Sequence, residues 1–231
     1  LITGYVKHGN GVEALLCFDQ MQIEKIQPTI ITLTCALKAC AIIGALGMGR
    51  TIHALIHGEE LLAKSPLIGI ALVAMYAKCG MLVNAQKVLE DLHVRDTISW
   101  NALISGYAEH GYSDQALRCH EKALREGVYM NAITYFSVLK SCANLKAIAK
   151  GKEIHAEISR RGMLGSDYIL DGALVDMYAK CGMLTEAQIV FSQISSPDVI
   201  SWNALISGYA QSQRDEEVID CLERMRASGI S

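Results

Sequence analysis

Ser99–Ala108 reads SWNALISGYA, and the same ten residues return at Ser201–Ala210, an offset of 102. The same offset joins MYAKCGML at Met75–Leu82 to its copy at Met177–Leu184. Leu37-Lys38-Ala39-Cys40 matches Leu139-Lys140-Ser141-Cys142 at that spacing, and Gly49-Arg50-Thr51-Ile52-His53 matches Gly151-Lys152-Glu153-Ile154-His155. Segments that share one offset mark an internal repeat, and a repeat fixes the architecture before any local reading begins.

A shorter rhythm runs inside the long one. Cutting at equivalent places gives segments 1–29, 30–65, 66–96, 97–131, 132–167, 168–198 and 199–231, whose complete members follow the length order 35, 36, 31. Each segment reads as two helices. In Ile200–Tyr209 the apolar residues Ile200, Trp202, Leu205, Ile206 and Tyr209 fall at helical spacing, and a polar break follows at Ser212-Gln213-Arg214-Asp215. Val218, Ile219, Leu222 and Met225 then form a second stripe that ends near Gly229. Helices of about 14 residues, roughly 20 Å long, cannot bury such stripes alone, so neighbouring hairpins must stack. The expected fold is all-α, an α-solenoid of seven hairpins, and the chain reads as a piece of a longer array.

Composition agrees. The 231 residues are 51% hydrophobic, too apolar for a disordered chain, and no apolar run reaches the roughly 18 residues of a membrane-spanning helix. Twenty-one Lys and Arg against 24 Asp and Glu leave a formal charge of −3, which argues against coating nucleic acid through bulk positive charge but permits a local line of cations. Leu1-Ile2-Thr3-Gly4-Tyr5 has no basic-then-apolar targeting pattern, as expected of a chain that begins inside a repeat.

The motifs resemble those of a pentatricopeptide repeat array, and the resemblance covers the whole chain. SWNALISGYA resembles the first helix of a P motif, LKAC followed by GRTIH an L motif, and ALVAMYAKCG an S motif. Their order resembles the plant subclass in which P, L and S motifs alternate, with 1–29 and 199–231 as partial P motifs. The resemblance implies a right-handed solenoid that binds single-stranded RNA in mitochondria or chloroplasts, at about one base per repeat. It also implies that the array positions a C-to-U editing activity located outside this chain, among other editing-complex proteins. No membrane, small-molecule substrate, cofactor or metal is implied.

Reading an unpaired base requires a polar side chain at its edge and flat apolar surface above and below it. In the family the fifth residue of the first helix and the last residue of the motif read, while the second residue packs between bases. Carried over, the reading pairs are Asn101 with Asn131, for a pyrimidine, and Thr34 with Ser65, for adenine. Asn203 holds the place of Asn101 in the last segment. Phe136 with Asp167 departs from the pattern, because a phenyl ring stacks or spaces rather than hydrogen-bonds. Ile70 with Asp96 and Gly172 with Asp198 depart as well, and both aspartates read equally as helix caps. The sandwiching residues are Ile31, Ile98, Ile133, Ile169 and Ile200. Lys7, Lys78 and Lys180 stand late in first helices, either as phosphate contacts or as solvated lysines that favour the helix C-terminus.

Other chemistry is weak. Seven of the eight cysteines hold repeat-equivalent places roughly 30 Å apart, no C-x-x-C pair exists, and the expected role is that of small buried hydrophobes. His155-Ala156-Glu157 has the H-x-E form of a zinc deaminase, but its copy is His53-Ala54-Leu55 and the cysteine partner motif is absent. The glycines of 44–49 follow no strand and read as a helix–helix turn. No catalytic constellation is present. The competing reading is a scaffold that binds a peptide or partner protein as tetratricopeptide arrays do, although those keep a uniform 34-residue period.

Overall fold

The computed structural model describes residues 1–58, 61–165 and 168–229. Among them are fifteen α-helices and no strand. In chain order the hairpins are α1 (Ile2–Lys7) with α2 (Gly11–Ile23), α3 (Ile30–Ile43) with α4 (Leu46–Gly58), the single turn α5 (Leu61–Lys64), and α6 (Pro66–Lys78) with α7 (Leu82–Asp91). There follow α8 (Thr97–Glu109) with α9 (Ser113–Arg125), α10 (Ala132–Leu145) with α11 (Ile148–Arg160), α12 (Tyr168–Lys180) with α13 (Leu184–Gln193), and α14 (Val199–Gln211) with α15 (Asp215–Ala227).

The chain divides into two compact units, one of Leu1–His110 with Lys122–Tyr129, the other of Gly111–Glu121 with Met130–Ser231. In the first, α1, α3, α6 and α8 lie side by side in that order, and each of α2, α4 and α7 packs on the first helix of the next hairpin. In the second, α10, α12 and α14 form the corresponding row, with α11 on α12 and α13 on α14. This stacking of hairpins is the α-solenoid that the repeat demands.

The letters of SWNALISGYA each have a physical task. Asp96 accepts from the Ser99 backbone N–H at 2.9 Å while Ser99 Oγ accepts from the Asp96 N–H at 3.1 Å, a reciprocal capping box that starts α8. Trp100 is 1% exposed, and Leu103 and Ile104 are fully buried. Gly106 permits close approach, since a β-carbon there would lie 2.8 Å from that of Ala77. Tyr107 donates to Gln86 Oε1 at 2.8 Å, tying α8 to α7 of the preceding hairpin. The second copy repeats the arrangement: Trp202 is buried, Gly208 approaches Ala179, and Tyr209 donates to Gln188 at 3.0 Å.

The first helices α3, α6 and α12 each have a first helix on both sides and are therefore apolar nearly all round. In α6, Ile68, Ala71, Leu72, Val73, Met75, Tyr76 and Ala77 are all buried. Second helices keep a solvent face. The expected stripe of α15 differs from the observed one: Cys221 and Met225 are buried, while Ile219 is 58% exposed. Its counterpart Leu15 in α2 is 8% exposed, in a helix with α3 packed over it, whereas the described residues place no hairpin over α15.

Candidate nucleic-acid interface

The first turn of every long first helix carries a large aliphatic residue in water. Ile31, Ile98, Ile133, Ile169 and Ile200 are 67%, 61%, 62%, 46% and 68% exposed, against helices whose remaining apolar residues are mostly buried. Leu67, in the same position of α6, is 59% exposed and belongs to the set. It is absent from the residues expected from the sequence, although the offset of 102 from Ile169 identifies it. Repeated exposure of one register position sets these residues apart from scattered surface hydrophobes.

The residue just before each of these helices is fixed by the helix itself. Asp96, Asn131 and Asp198 are the N-caps of α8, α10 and α14, each accepting through Oδ1 from the backbone N–H three residues on, at 2.9, 3.1 and 2.8 Å. Asn131 Oδ1 also takes the Thr134 hydroxyl at 3.2 Å. Capping and reading are compatible, because the cap occupies one side-chain atom and locks the rotamer that aims the other. Ser65 precedes α6, is 7% exposed and makes no side-chain cap bond. Asp167 lies outside the described residues. Thr29, the counterpart of Asn131 one long period earlier, caps α3 through the Thr32 N–H at 3.2 Å and was not singled out in the sequence.

The fifth positions diverge. Asn203 is exposed, whereas Asn101, at the same register of α8, is 8% exposed, so the two amides are not equally open. Neither is a helix cap. Thr34 is half-buried and donates to the Ile30 carbonyl at 2.8 Å. Ile70 is half-buried, Phe136 is 39% exposed, and Gly172 offers no side chain at all.

In the second unit these positions converge. A cavity of about 270 Å³ is lined by Phe136 and Lys140 of α10, Ile169, Gly172, Ala173, Asp176 and Lys180 of α12, and Asp198 and Ile200 at the start of α14. Two larger clefts, of about 540 and 410 Å³, contain none of the predicted site residues.

The lysines are exposed, but two already hold carboxylates. Lys78 Nζ donates to both oxygens of Glu109 at 2.8 and 2.7 Å, and Lys180 donates to Asp176 at 2.8 Å. Such exposed pairs contribute little and exchange readily, so a phosphate can compete for either lysine. Lys7 ends α1 and is exposed.

The residues with tempting chemistry do structural work. His53 and His155 hydrogen-bond through Nδ1 to the hydroxyls of Tyr76 and Tyr178 at 2.8 and 2.9 Å, linking α4 to α6 and α11 to α12. Burial pushes both imidazoles below their ordinary range. Glu157 is held by Arg160 and Arg161 rather than poised beside His155. Burial raises the Cys40 and Cys142 thiols to about 12, far from reactive thiolates. Among the described residues no group of three or more His, Cys, Asp or Glu is placed to hold a metal, and no helix is long and apolar enough to cross a membrane.

Comparison with known proteins gives the same picture. The model of the PPR repeat family matches residues 95–144, and that of the PPR repeat matches 1–26, 172–196 and 200–230, together more than half of the chain. A chloroplastic pentatricopeptide repeat-containing protein of Arabidopsis thaliana is 36% identical over 230 residues, covering 100% of this chain and 37% of its own length. A mitochondrial one from the same plant is 35% identical over 250 residues, covering 100% and 27%. The chain thus spans about a third of the curated relatives it matches. Among solved structures, PPR10 in complex with an 18-nt psaJ RNA element superposes with a TM-score of 0.78 at 20% identity, over 100% of this chain and 34% of that one. PPR10 from maize gives 0.61 at 20% identity, over 100% of this chain and 38% of that one. At that identity the likeness establishes the fold. By its repeats, its relatives and its architecture, the chain belongs to the pentatricopeptide repeat family.

Proposed function

We propose that this chain is a sequence-selective, single-stranded RNA-binding segment of the alternating P, L and S type. It acts in a plant organelle and positions a C-to-U editing activity that lies outside the chain. The observation that carries the reading is the pairing, at the start of successive first helices, of an exposed aliphatic residue with a capped polar one. Ile98 follows Asp96, Ile133 follows Asn131, and Ile200 follows Asp198. Unpaired bases require that combination of apolar platform and oriented hydrogen-bonding group. The 35, 36, 31 alternation of segments supports the subclass, and the chloroplastic and mitochondrial relatives support the organelle.

Electrophoretic shift with a random single-stranded RNA pool tests this. A retarded complex is expected, weakening with salt by about 0.7 log units per phosphate contact for each log unit of salt. Asn101→Thr is expected to move the preference at one position from pyrimidine toward adenine. Retention of peptides but not RNA would favour the scaffold reading instead.

A further inference from the structure

Arg95 fills a socket in the first unit that its counterpart leaves open in the second. Its guanidinium donates through Nε to the Leu89 carbonyl at 3.0 Å, through Nη2 to the Glu90 carbonyl at 2.9 Å and through Nη1 to Glu126 Oε1 at 2.8 Å. It thereby caps the C-terminus of α7, where carbonyls lack partners within the helix, and ties it to the residue after α9. A shift of 102 residues turns Leu89, Glu90, Arg95, Trp100, Lys122 and Glu126 into Phe191, Ser192, Pro197, Trp202, Arg224 and Ser228. All six of the latter line the cleft of about 410 Å³ between α13, α14 and α15. Proline has neither the reach nor the donors of arginine, so the space stays open.

The open socket keeps the acceptors. The Phe191 carbonyl takes the Ile194 N–H at 3.1 Å, just as the Leu89 carbonyl takes the Leu92 N–H at 3.3 Å beside Arg95, and a second lone pair is left for a ligand. Among the described residues α13 has no basic residue in its last turn. The Ser192 and Ser228 hydroxyls donate to the Ile189 and Arg224 carbonyls at 2.7 and 2.9 Å, so each offers its oxygen as an acceptor. Phe191 and Trp202 meet edge-to-face at 4.5 Å and give flat surface on which a planar guanidinium stacks. Arg224 also lies near the Trp202 ring, at 5.6 Å, and is paired with Asp220 at 3.2 Å. Asp220 offsets that cation as Glu90, 3.0 Å from Lys122, offsets the lysine beside Arg95. An anion is disfavoured here, because it would face the carbonyl end of α13.

We propose that this cleft docks an arginine side chain of a partner protein, which takes in trans the place that Arg95 takes in cis. A fork of N–H donors meets the two adjacent carbonyls as Arg95 does, whereas the compact ammonium of lysine does not match that fork. The lining includes Trp202 and none of Asp198, Ile200 or Asn203, so docking here is independent of the RNA-binding reading.

The test is a nuclear magnetic resonance titration of the whole chain with N-acetyl-arginine amide, read at the indoles of Trp100 and Trp202. Trp202 lines the open cleft, while Trp100 stands at the same register beside the occupied socket and serves as the internal control. The Trp202 signal is expected to move and the Trp100 signal to stay, with N-acetyl-lysine amide binding about tenfold more weakly. Pro197→Arg installs the residue that the first unit carries and is expected to abolish the response by filling the cleft in cis. Ser228→Glu restores the carboxylate that Glu126 supplies and is expected to tighten binding of the arginine probe about threefold. A Trp202 signal that the arginine probe leaves unmoved, or that both probes move equally well, overturns the proposal, as does a response that survives in folded Pro197→Arg. Circular dichroism verifies the fold of both variants, and failure of Ser228→Glu to tighten the probe overturns the proposal even where Pro197→Arg does not fold.

Discussion

A β-carbon on Gly49 would lie 2.5 Å from the Met75 sulfur, and one on Gly151 would lie 2.5 Å from that of Met177. His53 bonds to Tyr76 at 2.8 Å, and His155 to Tyr178 at 2.9 Å. These contacts between hairpins are thus repeated in the two units. The fifth and ninth residues of the repeats are not: Thr34 becomes Phe136, Ile70 becomes Gly172, and Ala74 becomes Asp176. Close-packed seams tolerate few changes of volume, while a surface that meets a variable ligand is free to differ from repeat to repeat. The contrast separates the residues that build the array from those that give it selectivity.

Some buried positions do differ, and one neighbouring pair of them offers a test. Phe18 and Leu33, both buried in the first unit, correspond to His120 and Tyr135 in the second. Those rings meet edge-to-face at 6.2 Å, and among the described residues neither His120 nitrogen nor the Tyr135 hydroxyl has a hydrogen-bond partner. Burial, aided by Lys150 and opposed by Glu121, pushes the His120 imidazole from 6.5 down to about 4. A depressed folded-state value means that stability is intact above 6.5 and is lost as pH falls from 6.5 toward 4, by up to about 3 kcal/mol. His120→Phe should remove that part of the acid loss, as read from urea melts at pH 7 and about 4.5. An equal acid loss in parent and variant would show that the second unit's core tolerates a charged His120.

Gly106→Val and Gly208→Val should each destabilise by about 2 kcal/mol in denaturant titrations. The new β-carbons fall 2.8 and 2.7 Å from those of Ala77 and Ala179, with each alanine's Cα close behind. Unequal costs would mean that the two seams are less alike than they look.

Lys146 occupies the place of Gly44 and keeps its left-handed backbone, φ 52° against 69°. Lys146→Gly should therefore stabilise by about 1 kcal/mol, whereas Gly44→Lys should destabilise by a similar amount. The smallest effect is expected on the exposed face. Glu109→Gln should change stability by under about 0.5 kcal/mol, because the Lys78 pair is solvent-exposed, yet it should tighten RNA binding by freeing the ammonium for phosphate. Fluorescence anisotropy at low salt measures the second effect, and weaker binding would remove Lys78 from the phosphate contacts.

The fold was legible because one offset repeats the letters that pack: tryptophan for the core, glycine for close approach, serine for the cap. The aliphatic row was nearly legible, with Leu67 left out although it lies 102 residues before Ile169. What could not be read were pairings between hairpins. Lys78 meets Glu109 across 31 residues, and His53 meets Tyr76 across 23. Nor does local spacing distinguish the covered Asn101 from the open Asn203, since their flanking sequences are identical and only the surrounding helices differ. The convergence of Phe136, Gly172 and Asp198 required three helices in place.

Photo-crosslinking the chain to single strands containing 4-thiouridine, followed by peptide mapping, asks where nucleotides touch the array. Adducts are expected on the opening turns of α3, α6, α8, α10, α12 and α14, around Ile31, Leu67, Ile98, Ile133, Ile169 and Ile200. Adducts confined to the second helices α2, α4, α7, α9, α11, α13 and α15 would contradict the assignment of the exposed first-helix face as the surface that reads RNA.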